Sequence, residues 1–222
     1  MKNDLLSMSQ LALLFLSLFV LSEILYHRFR IKAEYSRKLS HIGTGLICLL
    51  FPILLHSHWS VLTLCATFTL LLLLSIKFNL LQSIHAVDRK SVGSLMYPAA
   101  VYLCFLFQSY QENALIFYYL PLLILAICDP LAALSGKKWP FGPYRVLGAK
   151  KTLLGSIVFF LAAVVINLLL WELMHDLPWD AQQLMIIAII ASATTLAEAL
   201  SRDGYDNLTI PIAAILCLSI LA

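Results

Sequence analysis

Apolar residues occupy the chain in roughly eight long stretches with short polar segments between them, at about 5–26, 39–55, 60–76, 93–108, 114–134, 152–174, 182–200 and 207–222. Each is near or somewhat below the ~20 residues that a bilayer core requires. Backbone polar groups must pair internally in lipid, so these stretches predict helices, and their unbroken hydrophobicity excludes the alternating strands of a membrane barrel. The fourth and eighth are short and carry Pro98 and Pro211, which predicts a broken or re-entrant helix at either place. The first run is as long as a full span and has no small-residue cleavage site, so a transmembrane helix is expected there rather than a signal peptide. The expected fold is an all-α, polytopic integral membrane helical bundle of about eight helices, forming one catalytic domain over 1–222 in which 1–36 precede the motif-bearing part. No internal repeat, low-complexity tract or linker divides it.

The distribution of charge orients this bundle. Arg28, Arg30, Lys32, Arg37 and Lys38 fall in the first loop, Lys77, Arg89 and Lys90 in the third, Lys137, Lys138, Arg145, Lys150 and Lys151 in the fifth, and Arg202 in the seventh. The second, fourth and sixth loops hold none. By the positive-inside rule the odd-numbered loops are cytoplasmic, with the N-terminus outside, and eight crossings place the C-terminus outside as well. With 61% hydrophobic and 12% charged side chains, and mean hydropathy +0.90, a soluble domain is excluded. The net charge of +3 sits in short loops, so it reports orientation and local phosphate binding and gives no indication of nucleic-acid binding. Cys48, Cys65, Cys104, Cys128 and Cys217 all lie in apolar runs and read as small buried hydrophobes.

One stretch is far more polar than the rest: CDPLAALSGKKWPFGPYRVLGAKKTLLGS, over 128–156. It opens on Asp129 at the end of an apolar run and then presents Lys137, Lys138, Arg145, Lys150 and Lys151. Carboxylates hold magnesium, while Lys and Arg take phosphate oxygens, so this order fits the head of a site for a polyphosphate and its metal. Taken singly, each cation is better explained by topology. Asp129 is not, because an acid near hydrocarbon costs about 2.5–3.5 kcal/mol at a helix centre and is kept for function or for a partner. Gly148, Lys150, Lys151 and Thr152 approximate a phosphate-binding loop, but the spacing is wrong and no strand is predicted before them. What survives is a helix N-terminus near Thr152 whose amides, beside two lysines, would make an anion site.

Three further clusters lie at the same face. In SRKLSHIGTG, over 36–45, Lys38 and His41 are three apart and Arg37 and His41 four apart, so their head groups converge on one side of a helix. Arg offers a planar fork to phosphate and His a proton acceptor near neutral pH, while Gly43 and Gly45 permit close approach of a helix or ligand. The plainer alternative is a topogenic basic pair with a hydrogen-bonded interfacial His. The third loop, with Asp88, Arg89, Lys90 and Ser91 before Ser94 and Tyr97, reads as a headgroup site or as a solvated connector. In ATTLAEALSRDGYDNLTIP, over 193–211, Glu198 sits in an apolar helix one turn before Arg202. Either these two neutralise each other, or Glu198, Asp206 and Asn207 are oxygen ligands, direct or through water, for a metal that bridges phosphates. Together the clusters supply cations, carboxylates and a base, which is what phosphoryl transfer requires. A bilayer-embedded substrate would enter such a site sideways between helices.

In order and spacing, RKLSHIGTG, DPLAALSGKKW, KKTLLGS and EALSRDGYDNLTIP resemble the motifs of the membrane-bound polyprenol kinase family, which includes phytol kinase, dolichol kinase and CTP-dependent diacylglycerol kinase. That family is distantly similar to the CDP-diacylglycerol synthases, the phosphatidate cytidylyltransferases. The resemblance spans about 37–211 and implies a kinase that uses CTP and Mg2+ to phosphorylate the hydroxyl of an isoprenoid alcohol or diacylglycerol. By motif, Arg37, Lys38 and His41 match the Arg-Lys-x-x-His element, Asp129 and Gly136 the nucleotide loop, Lys150 and Lys151 the basic pair, and Glu198, Asp206 and Asn207 the C-terminal acidic element. The implied roles are Asp129, Glu198 and Asp206 for metal, and Asp129, His41 and Glu198 for catalysis. Arg37, Lys38, Gly136, Lys137, Lys138, Lys150, Lys151 and Asn207 would hold the nucleotide. The sequence departs from the family at Leu154, where an acid usually precedes Gly-Ser, and at Tyr205 and Asp206, where an Asp pair often precedes Asn. A cytidylyltransferase making a CDP-lipid is the alternative, and residues 202–206 only approximate its Asp-Arg-x-Asp run. A non-enzymatic transporter ranks last, since it predicts Asp129 and Glu198 near mid-membrane rather than beside basic loops. The implied partners are a membrane lipid and a nucleoside triphosphate, with homo-oligomerisation left open.

Overall fold

A computed structural model describes residues 4–85, 92–112, 114–174 and 180–221, so Asp88, Arg89, Lys90 and Ser91 lie outside the described residues. The chain forms α1 (Leu5–His27), α2 (Ala33–Cys48) with the one-turn α3 (Phe51–Leu54), α4 (His58–Lys77), the one-turn α5 (Gln82–His85) and α6 (Gly93–Tyr110). Next, α7 (Ile116–Leu123) runs through a π turn (Ile124–Cys128) into α8 (Asp129–Lys138). A hairpin of β1 (Pro143–Val146) and β2 (Ala149–Thr152) leads to α9 (Leu153–Met174), α10 (Ala181–Leu200) and α11 (Asp206–Leu221). Each of the eight apolar stretches is helical over most of its described residues. Among the described residues six helical segments are long and apolar enough to cross a membrane, namely α1, α2 with α3, α4, α7 through α8, α9 and α10. The chain is thus a multi-pass membrane protein, with α6 and the 16-residue α11 outside that set of six.

Neither expected break occurs where it was predicted. Pro98 and Pro211 lie within continuous helices, each at the sixth position. There a proline forfeits only the bond to the helix's second residue, close to an end whose ladder has barely begun. The irregularity falls instead at Ile124–Cys128, in the most buried segment of the bundle: 67% of its spanning window is enclosed, against 22–39% for the other five. This central rod packs against α2, α9 and α11, with α6 alongside α7.

The odd-numbered loops gather at one end. Ser83 donates its backbone N–H to Glu23 and accepts from Ser36, Val92 donates to the Asp203 carbonyl, and Asn207 donates to the Gly93 carbonyl. At the opposite end buried Asp4 accepts from the backbone N–H groups of His56 and Ser57, tying the start of α1 to the second loop.

Close approach of α2 to the rod depends on Gly45. A Cβ there would collide with the Ala126 side chain and lie 2.7 Å from the Tyr97 hydroxyl. Overpacking of this kind costs about 1–3 kcal/mol. Gly45→Ala is therefore expected to lower the thermal midpoint in detergent by several degrees, roughly 2–4 °C per kcal/mol for a chain of this size. An unchanged midpoint would show that α2 does not pack this tightly.

Candidate active site

Lys38 and His41 stand one turn apart on α2, and both turn toward the rod. Lys38 Nζ donates to Asp129 Oδ2 at 2.7 Å, and all three side chains are largely buried. His41 Nε2 lies 3.7 Å from the same carboxylate oxygen and 3.0 Å from the Leu125 carbonyl. A carbonyl only accepts, so Nε2 carries a proton and the ring's lone pair, when it is neutral, resides on Nδ1. The Leu125 carbonyl is available for a reason written in the Asp-Pro dipeptide. In the π register it would accept from residue 130, and Pro130 has no N–H to give. Tyr97 packs edge-on against the imidazole with ring centroids 4.9 Å apart.

The cationic segment after α8 is a hairpin rather than an open loop. Leu147 and Gly148, at φ +49° and +86°, form the two-residue turn with both central residues left-handed that matches the twist of the flanking strands. Arg202 Nη1 pins this tip by donating to the Leu147 carbonyl at 3.0 Å. Side chains alternate along a strand, so Lys150 and Lys151 cannot act as a like-facing pair. Lys151 goes inward and donates to the Glu198 carboxylate and, at 2.9 Å, to the Glu198 carbonyl. Opposite it Tyr144 also turns inward and shares a hydrogen bond with Ser156, while Lys150 faces outward across from exposed Arg145. Glu198 therefore pairs with a lysine far away in sequence, and not with Arg202 one turn on.

Gly136 brings α8 against the start of α9, since a Cβ there would strike Thr152 Oγ1. That hydroxyl accepts from the Gly155 N–H, and the Leu153 and Leu154 N–H groups donate to the Gly142 and Phe141 carbonyls. The helix N-terminus expected to bind an anion thus has its first three amides already occupied by the loop that precedes it.

These elements enclose two cavities. The polar one, about 350 Å³, is lined by Lys38, Asp129, Gly136, Lys151, Glu198 and Asp206, with Lys137 and Lys150 also on its wall. Glu34, which carried no signal in the sequence, lines it too and lies 3.4 Å from Arg37 and 3.5 Å from Lys137. The apolar one, about 640 Å³, lies among α1, α2, α4 and α6, and His41 and Arg37 are at its polar end. Asn207 lines this second cavity, its Nδ2 bound to the Gly93 carbonyl at 2.7 Å, so it does not join the acidic residues. Lys138 lies over the Trp139 ring at 4.3 Å and lines neither cavity. The walls of the two spaces touch where Asp129, on the polar one, lies beside His41, on the apolar one, and again where Glu34 lies beside Arg37.

The polar cavity fits a divalent cation that arrives with a polyphosphate. Magnesium takes one or two carboxylates and completes its shell with phosphate oxygens and water. Asp129, Glu198 and Asp206 edge one space, and Asp129 Oδ1 has no hydrogen-bond partner among the described residues. No three His, Cys, Asp or Glu side chains among the described residues cluster closely enough to hold a metal unaided. The phosphates would therefore supply part of the shell.

Comparison with curated proteins finds a phytol kinase from Synechocystis sp. that is 31% identical over 209 residues, covering 93% of this chain and 88% of the relative. No family model matches the chain. No solved structure matches it either.

Proposed function

The chain belongs to the polyprenol kinase family, of which phytol kinase is a member, and from that premise we propose that it transfers the γ-phosphoryl group of CTP to a lipid alcohol. The acceptor is the hydroxyl of an isoprenoid alcohol (phytol, a polyprenol or dolichol) or of diacylglycerol, and the whole chain acts as one catalytic domain. The observation that supports this reading is the shared wall. A polar cavity walled by lysines and carboxylates lies beside an apolar one of tail-holding size, and His41 and Asp129, 3.7 Å apart, stand on either side of the wall they share. The polar cavity lies at the end where the basic loops gather, so the positive-inside rule makes that end cytoplasmic, with eight crossings and both termini outside.

In this reading Lys38, Lys137 and Lys151 meet the phosphate oxygens with outward-facing Lys150 at the rim, and Asp129, Glu198 and Asp206 would share the holding of magnesium with the phosphates, directly or through water. Bound magnesium supplies neutralisation of the charge that develops on the leaving diphosphate. The alcohol's tail lies in the apolar cavity with its hydroxyl at His41. As the alcohol oxygen bonds to the γ-phosphorus, its proton passes to His41 Nδ1, which the Nε2–Leu125 bond has left as the acceptor. The bond from the γ-phosphorus to the bridging oxygen breaks, and CDP departs with that electron pair. The residues mainly position reactants and neutralise charge, as phosphoryl transfer demands.

The test is to give the purified protein magnesium, one nucleoside triphosphate at a time, and phytol, polyprenols, diacylglycerol or phosphatidate. CDP formed together with a phosphorylated alcohol is the expected result. Pyrophosphate with a CDP-lipid would make the protein a cytidylyltransferase, and no product with any lipid would remove the enzymatic reading.

A further inference from the structure

The apolar cavity runs lengthwise down α2. Arg37 and His41 stand at its polar end, Thr44 and Cys48 follow at successive turns, and Phe51 lies at the far end, ten residues or about 15 Å beyond His41 at helical rise. α4 lines the same path in the opposite sense, from Ile76 down to Leu64. Toward the deep end the rings of Phe15, Phe51 and Phe68 pack edge to face, with Phe15 centroids 6.1 Å from Phe51 and 4.7 Å from Phe68, and Leu64 lies one turn beyond Phe68 on α4. All three are buried and line the cavity. At about 640 Å³ the cavity is of the size that holds one ligand of moderate dimensions.

From this we propose that Phe15, Phe51 and Phe68 form a floor that measures the substrate's tail and makes the site selective for a single-chain alcohol of moderate length. The inference rests on the kinase reading above and narrows its substrate. The hydroxyl is held at the shared wall, so a tail that exceeds the cavity meets the rings and pulls the hydroxyl away from His41. Specificity then appears in turnover of the reacting end and not only in binding.

The experiment compares kcat/KM for geraniol, farnesol, phytol, a long polyprenol and dioleoylglycerol in the wild-type protein and in two variants that move the floor in opposite directions. Wild type is expected to rise from geraniol to phytol and to fall for the polyprenol and the diacylglycerol. Phe51→Ala opens the floor and should raise the ratio of polyprenol to phytol about tenfold or more, since even one methylene in an apolar pocket discriminates by about 10-fold or more. Cys48→Leu fills the cavity one turn higher and should lower the ratio of phytol to farnesol by a similar factor. Each readout is a ratio within one preparation, so a loss of folded protein cancels. Wild-type ratios in both variants would overturn the floor and leave the kinase reading standing. A wild-type protein that phosphorylates no alcohol would overturn both.

Discussion

Asp129→Asn is expected to leave the protein expressed and folded while turnover falls on the order of 10³-fold, a loss comparable to removing one preorganised charge-stabilising group from an active site. Asn preserves shape and offers Lys38 an amide oxygen where the carboxylate stood, 2.7 Å away. It removes the charge that would hold a cation, and it leaves the Lys38 ammonium without its counter-ion. Breaking a buried pair from one side ordinarily costs about 3–5 kcal/mol. Here the penalty should be smaller, because Lys38 and Asp129 both edge the polar cavity and water can reach them. The measurement is turnover alongside thermal midpoint and expression in the same detergent. A variant that keeps full activity would remove Asp129 from the chemistry, and one that fails to accumulate would make its role one of folding alone.

The two adjacent lysines of β2 should separate in the same assay. Lys151→Ala is expected to lower kcat/KM by about 10²–10³-fold, since it deletes the inward cation that the proposed reaction places at the phosphates and leaves the buried Glu198 carboxylate unpaired. Lys150→Ala removes an outward-facing cation on the cavity wall, and its effect should stay below about tenfold and fall mainly on KM for the nucleotide, as loss of uniform binding does. Changing Lys151 and Glu198 together should be less damaging to stability than changing either alone, the non-additivity expected of a contacting pair. Equal losses for Lys150→Ala and Lys151→Ala would mean that the hairpin does not impose the alternation seen in the structure.

The contrast between these lysines shows how far the sequence could be read. Long apolar runs report helices because lipid demands internally paired backbone, and each of the eight runs is helical over most of its described residues. Spacing alone puts Arg37, Lys38 and His41 on one side of α2, and the structure brings Lys38 and His41 together at Asp129 while Arg37 turns to Glu34 and the apolar cavity. The hairpin was hidden: its strands are four residues each, too short for a two-residue period to stand out, and only the Leu147–Gly148 turn between YRV and AKKT hinted at it. Partners distant in sequence were also illegible. Nothing in the region of Glu198 says that Lys151, 47 residues earlier, would claim it before Arg202 does. Asn207 follows Asp206 directly, yet one residue along a helix turns a side chain by about 100°, which carries the Asn amide to Gly93 and away from the acids. The proline signal misled for a related reason. Pro98 and Pro211 interrupt hydropathy but sit near helix starts, whereas the π turn between Pro121 and Pro130 lies in an apolar run that hydropathy passes over.

The proposed kinase reaction carries a phosphoryl group from the polar cavity to an alcohol in the apolar one. Its most direct test is to incubate the wild-type protein and magnesium with phytol and CTP labelled either at the γ- or at the α-phosphate, then extract the lipid. Label in the lipid from γ-labelled CTP and none from α-labelled CTP is the predicted result. Label from the α-position, or from neither, would contradict it.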